Sequence, residues 1–144
     1  MNAYNGFSGA QRTRALDWLN REYGAGRRQR PTLCDLCGQD EGLIQAHSED
    51  YSGPPFGDNI GYFALCYICH MMIHCRFRNP RAWSDYRRLL SEGLVLARPG
   101  PKADWGAVVR FLNGGRPPFR PSRHPRSPVG IELLQQLDLA IRGV

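Results

Sequence analysis

Leu65-Cys66-Tyr67-Ile68-Cys69-His70-Met71-Met72-Ile73-His74 decides the reading of this chain. A Cys-x-x-Cys pair runs straight into two histidines four residues apart, and an earlier pair, Cys34-Asp35-Leu36-Cys37, has the same internal spacing. Each pair can bite one tetrahedral ion from a single tight turn, so Cys34, Cys37, Cys66 and Cys69 together suit a structural Zn²⁺. Gly38, directly after the first pair, permits the positive φ that a knuckle turn needs. The competing reading of these thiols is two redox dithiols or two disulfides. Cys75, the odd cysteine, reads as a small buried hydrophobe on a helix, with a ligand role as its alternative.

Positions four apart on a helix face one way, so His70 and His74 are expected to present their imidazoles side by side toward a second ion. His47 ends a strand-like run at residues 42–47 and supplies a third group from across a hairpin. A four-cysteine zinc cluster would pin the strand ends to the helix start and hold that geometry rigid.

The rest of the chain arranges itself around this module. Ser8-Gly9-Ala10-Gln11 has the form of a capping box, and Ala15, Leu16, Trp18, Leu19 and Tyr23 follow at helical spacing, predicting an amphipathic helix over residues 8–23. Residues 24–33 read as an exposed Gly/Arg-rich connector and 48–59 as a loop. A second strand is expected over 61–65 and a helix over 67–78. Asn79-Pro80 marks a helix start, with Trp83, Tyr86, Leu89 and Leu90 as one apolar stripe ending at Gly93. Asp104 is placed to cap a short helix through Trp105, Val108, Val109 and Leu112, which Asn113-Gly114-Gly115 stops. Residues 114–128 hold five of the eleven prolines and read as an extended basic linker. The last segment has an apolar face of Ile131, Leu134, Leu137 and Ile141, either a docked helix or a homodimer contact. The expected organisation is therefore 1–30 (helix and connector), 31–79 (zinc module), 80–113 (helical extension) and 114–144 (linker and terminal helix).

Charge points to a partner. The chain of 144 residues carries a net charge of +6, and its cations are eighteen arginines against the single lysine Lys102. The planar guanidinium fork suits phosphates and guanine edges, and the arginines flank the cysteine pairs. DNA is the expected partner, with Arg27, Arg28, Arg30, Arg76 and Arg78 as contacts. A solvated basic face is the alternative. No apolar run has membrane length and the N-terminal stretch is not apolar, so no membrane association and a cytoplasmic location are expected; reduced thiols there favour metals over disulfides.

From Cys34 to about Arg78 the sequence resembles the zinc-stabilised HNH endonucleases. The likeness rests on Cys34-Asp35-Leu36-Cys37-Gly38, on Ala46-His47 with Glu49-Asp50-Tyr51-Ser52, and on Leu65 through His74. It implies a small α+β protein whose core is a zinc-knuckle, treble-clef ββα-metal unit with flanking helices. It also implies a metal-dependent endonuclease or nickase acting on DNA phosphodiesters, with His47, His70 and His74 as catalytic residues. A divalent ion, Mg²⁺ or another, would be held by His70 and His74 with His47 and Asp50 as further ligands. The family commonly has a ligand followed by a general-base histidine where this chain has His47-Ser48. Either His47 is the ligand, or it is the base and Glu49 or Asp50 supplies oxygen to the metal. A noncatalytic zinc module that binds DNA or a protein partner is the alternative function, with redox or metal-storage roles behind it.

Overall fold

A computed structural model describes residues 1–51, 62–97 and 104–142. Among them it is a small α+β protein with five helices and two two-stranded sheets. Most of the 48–59 loop expected from the sequence lies outside the described residues. The chain divides into two compact units: one joins Met1–Pro31 to Ala46–Phe63, the other Thr32–Gln45 to Ala64–Val144.

In the first unit the chain opens with a tight turn. Tyr4 and Phe7 exchange backbone hydrogen bonds of 3.0 and 2.9 Å, and Asn5 and Gly6 between them both take positive φ, 53° and 83°. Asn-Gly is the dipeptide that such a mirror-image turn selects. Helix α1 (Gly9–Gly24) begins with the predicted reciprocal cap: the Ser8 Oγ accepts from the Gln11 amide at 3.1 Å, and the Gln11 Oε1 accepts from the Ser8 amide at 2.8 Å. Its buried stripe is narrower than the apolar spacing suggests. Only Ala15 and Leu19 are fully buried, and Leu16 faces solvent.

Strand β1 (Ile44–His47) pairs with β2 (Phe63–Cys66). The second strand starts two residues later than expected, and α2 (Tyr67–Cys75) follows it without a break. Cys66 is the N-cap of α2, its Sγ accepting from the Cys69 amide at 3.4 Å. The helix ends earlier than expected, because the chain turns at Arg76 toward the Asn79 cap of α3 (Pro80–Ser91). Asn79 stabilises two elements at once: its Oδ1 caps Ala82 at 3.1 Å and its Nδ2 donates to the last carbonyl of α4 (Asp104–Leu112), that of Leu112, at 3.1 Å. Trp83, Tyr86 and Leu90 form the buried face of α3. Asp104 is the first helical residue of α4, and Gly114 at φ 83° stops that helix.

The expected linker at 114–128 is corrected by the structure. Phe119–Pro121 is strand β4, antiparallel to β3 (Leu94–Leu96), with Val95 opposite Arg120. Prolines there spare backbone donors that a short edge strand does not use. Beyond it, residues 122–127 strap the first cysteine knuckle: Ser122 Oγ donates to the Cys37 carbonyl at 2.7 Å, Arg126 Nε to that of Leu36 at 3.1 Å, and the Ser127 amide to that of Asp35 at 3.3 Å. Helix α5 (Pro128–Arg142) then buries Leu133, Leu134 and Leu137 within the same chain, while Ile131 stays 48% exposed.

Candidate metal centres

The first knuckle is a backbone turn. The Cys34 amide bonds the Gln39 carbonyl at 2.9 Å, and the Gly38 amide bonds the Cys34 carbonyl at 3.0 Å. Gly38 sits at φ 76°, and a Cβ there would come within 2.3 Å of the His124 carbonyl oxygen and 2.5 Å of Ser122 Oγ. The glycine predicted for conformational freedom is thus also demanded by the strap. The second pair comes from the last residue of β2 and the first turn of α2, so the hydrogen bonding of sheet and helix fixes both sulfurs.

Cys34, Cys37, Cys66 and Cys69 are all buried free thiols whose sulfurs lie within 4.8 Å of one another. Cys37 Sγ and Cys66 Sγ are 3.8 Å apart. A disulfide needs about 2.05 Å, whereas two sulfurs each about 2.3 Å from a tetrahedral ion stand about 3.8 Å apart. The electrostatics agree with the geometry. Burial opposes ionisation of Cys34, yet hydrogen bonds from Cys37, Cys66 and Cys69 hold its pKa well below the usual thiol range. Hydrogen bonds with Cys34 and Cys37, followed by burial, push Cys66 well up; burial and then the same neighbours do so for Cys69. The Cys34 thiolate thus opposes ionisation of Cys66 and Cys69, and a cation inside the cluster would relieve that opposition. The donor set and spacing suit a soft tetrahedral ion such as Zn²⁺.

The histidines carry a second arrangement. His70 and His74 stand one turn apart on α2 with their Nε2 atoms 3.1 Å apart and ring centroids 4.8 Å apart. His70 Nδ1 lies 2.8 Å from Gln45 Oε1, on β1. A carbonyl oxygen only accepts, so Nδ1 carries the proton and the Nε2 of His70 keeps its lone pair toward His74. His47 ends the same strand, two residues on from Gln45 and hence on the same strand face. His70 and His74 thus offer two nitrogens to one position beside α2.

His47 is buried, and its Nε2 lies 2.6 Å from Glu49 Oε2. The Tyr4 hydroxyl donates to the same carboxylate oxygen at 2.5 Å, and the edge of its ring meets His47 with centroids 5.6 Å apart. Asn5 Nδ2 adds a bond to the Glu49 carbonyl at 2.7 Å. Ser48 is buried in a local turn, its Oγ donating to the Asp50 carbonyl at 2.8 Å. Asp50, expected as a further ligand, is exposed. Glu49 places a carboxylate oxygen against His47.

The arginines divide. Arg28 lies over the Trp18 ring at 5.1 Å and Arg30 over Tyr23 at 4.9 Å, while Arg27 Nε pairs with Glu22 at 2.9 Å. Arg78 is exposed at the end of the turn after α2. Arg76 is 1% exposed, with its guanidinium donating to the Ile73 carbonyl at 2.9 Å and lying 4.2 Å from the Phe77 ring centre. Its side chain, expected among the DNA contacts, folds back over the end of α2.

Sequence reasoning missed Tyr4, Gln45, Glu49 as a histidine partner, and Tyr86, whose hydroxyl is 3.0 Å from Cys69 Sγ. The Asn5-Gly6 dipeptide was a legible signal for the turn that delivers Tyr4, and the period of two along β1 pairs Gln45 with His47. Tyr86 read only as one member of an apolar stripe.

These features define a small α+β protein with a buried four-cysteine group able to hold a metal ion. Set against protein-family models, curated proteins and solved structures, the chain matches none. No helix among the described residues is long and apolar enough to cross a membrane.

Proposed function

We propose that this protein is a metal-dependent DNA endonuclease or nickase of HNH type, in which Cys34, Cys37, Cys66 and Cys69 hold a structural zinc and His47, His70 and His74 serve a second, catalytic ion. The observation that carries the reading is the facing pair of Nε2 atoms on α2, 3.1 Å apart, with the His70 tautomer set by Gln45. Two imidazole nitrogens each about 2.1 Å from one ion stand roughly 3.0–3.4 Å apart. An ion bound there would polarise a phosphodiester oxygen as a Lewis acid.

The chain's own groups divide the remaining work. Glu49 accepts from His47 Nε2, which leaves Nδ1 as the nitrogen that takes up a proton or a ligand position, and Tyr4 fixes the carboxylate that does the accepting. An all-imidazole set favours Zn²⁺, Ni²⁺ or Co²⁺ over Mg²⁺, which prefers oxygen ligands. The exposed Arg30 and Arg78, and Arg28 stacked on α1, suit the phosphate backbone of duplex DNA. Ser48, held in its turn, favours His47 itself over its neighbour as the proton acceptor.

Relaxation of supercoiled plasmid tests the proposal. Cutting is expected only with an added divalent ion, and His47→Ala or His74→Ala should each lower the rate about 10²-fold or more, with the fold retained. Protein that binds DNA but cuts nothing with any of these ions would replace the enzyme with a zinc scaffold.

A further inference from the structure

Four thiolates around a divalent ion carry a net charge of about −2. Cys34, Cys37, Cys66 and Cys69 are all nearly inaccessible to water, so that charge has to be stabilised by hydrogen-bond donors aimed at sulfur. The backbone supplies one, from the Cys69 amide to Cys66 Sγ at 3.4 Å. Among the described residues, the one side chain beyond the four cysteines that reaches these sulfurs is Tyr86, whose hydroxyl lies 3.0 Å from Cys69 Sγ. An ionised sulfur only accepts, so Tyr86 is the donor.

The hydroxyl is held there by two helices. Tyr86 lies on α3, one turn from Trp83, whose ring stacks on it at 6.3 Å and 22°, and Phe111 of α4 meets its face edge-on at 5.7 Å and 83°. At 2% exposure its hydroxyl has no access to bulk water, and among the described residues it has no other partner. A phenylalanine would fill the same space. The oxygen is therefore explained by the sulfur and not by packing.

We propose that Tyr86 is a positioning residue of the four-cysteine centre: its hydroxyl donates to the Cys69 thiolate, draws charge from that sulfur and slows escape of the ion. The proposal rests on the four-cysteine group being a metal centre. It also gives α3 and α4 a task, since the helices downstream of the cysteines complete the surroundings of the ion.

Cobalt substitution of the full chain separates this from a merely structural role. In the Tyr86→Phe variant the sulfur-to-cobalt charge-transfer band should move to lower energy while the visible bands of a tetrahedral site stay in place, and transfer of zinc to a competing chelator should speed up about 10-fold. An unchanged charge-transfer band together with an unchanged transfer rate would overturn the proposal. Should that variant fail to fold, wild-type protein loaded with cadmium-113 decides instead: a slowly exchanging hydroxyl proton of Tyr86 coupled to the metal supports the hydrogen bond, and a rapidly exchanging, uncoupled one overturns it. A wild-type protein without any four-thiolate cobalt spectrum would overturn the metal centre itself, and the proposal with it.

Discussion

Single atoms decide what the histidines of this protein can do. Gln45 fixes the tautomer of His70 through one 2.8 Å contact, and Glu49 does the same for His47 through one of 2.6 Å. Replacing Gln45 with leucine removes the acceptor with little change of volume, so affinity for a divalent ion at the histidines should fall about 10-fold, measured by calorimetry on protein whose cysteine site is already filled. Unchanged affinity would mean that His70 needs no such partner. Gly38 makes a sharper demand, because alanine there is strained at φ 76° and drives its methyl into the His124 carbonyl. Gly38→Ala should cost at least about 1–3 kcal/mol in denaturant unfolding, the strap having to move or the knuckle to deform. Tyr62 offers a test at high pH: burial, and then the nearby Tyr51, push its phenol up to about 12. Its folded pKa exceeds the ordinary value near 10, so its contribution to stability is complete below about pH 10 and is lost as pH rises toward 12. Phenolate absorbance should therefore show Tyr62 ionising late and together with unfolding, alongside Tyr23 and Tyr86, whose phenols burial also pushes up; full titration by pH 11 in the folded protein would contradict this environment.

Among the elements, the legible ones carried their own punctuation. Ser8 with Gln11, Asn79 with Pro80, and Gly114 each announced a helix end in local chemistry, and the structure places α1, α3 and the stop of α4 accordingly. The four cysteines were legible for the same reason, since the spacing within each pair is a local constraint. Strands β3 and β4 were not. Three residues of strand leave almost no period to read, and Leu94–Leu96 acquires its partner only from Phe119–Pro121, far along the chain. The prolines that suggested a linker are compatible with an edge strand, and arginine, which reads as free surface charge, also bonds groups of the same chain. Arg120 bonds Gln39, Arg123 pairs with Asp40 and Glu41, and Arg126 holds the Leu36 carbonyl. The strap is thus a tertiary clamp on the knuckle. Ser122→Ala, which removes the donor to the Cys37 carbonyl, should lower stability by about 1 kcal/mol and loosen zinc in parallel. Lower stability with metal retention unchanged would separate the strap from the metal centre.

Over the whole molecule, the arginine charge is less available than its sequence distribution implies, because part of it is committed to Asp40, Glu41, Asp138 and backbone carbonyls. Binding to duplex DNA, if carried by the remaining arginines, should weaken steeply with salt, and joint charge reversal of Arg27, Arg28 and Arg30 should flatten that slope. Charge reversal at Arg120 and Arg123 should instead lower stability, since those side chains clamp the knuckle. The central claim is that one chain builds two metal centres of unlike donors, four thiolates in one and imidazoles in the other. Diffraction from crystals grown with zinc, with anomalous differences collected at the zinc edge, tests this most directly. The account predicts one peak about 2.3 Å from the sulfurs of Cys34, Cys37, Cys66 and Cys69, and a second about 2.1 Å from the Nε2 atoms of His70 and His74. Cysteines joined in disulfides with no peak between them, or histidines with no peak beside them, would contradict it.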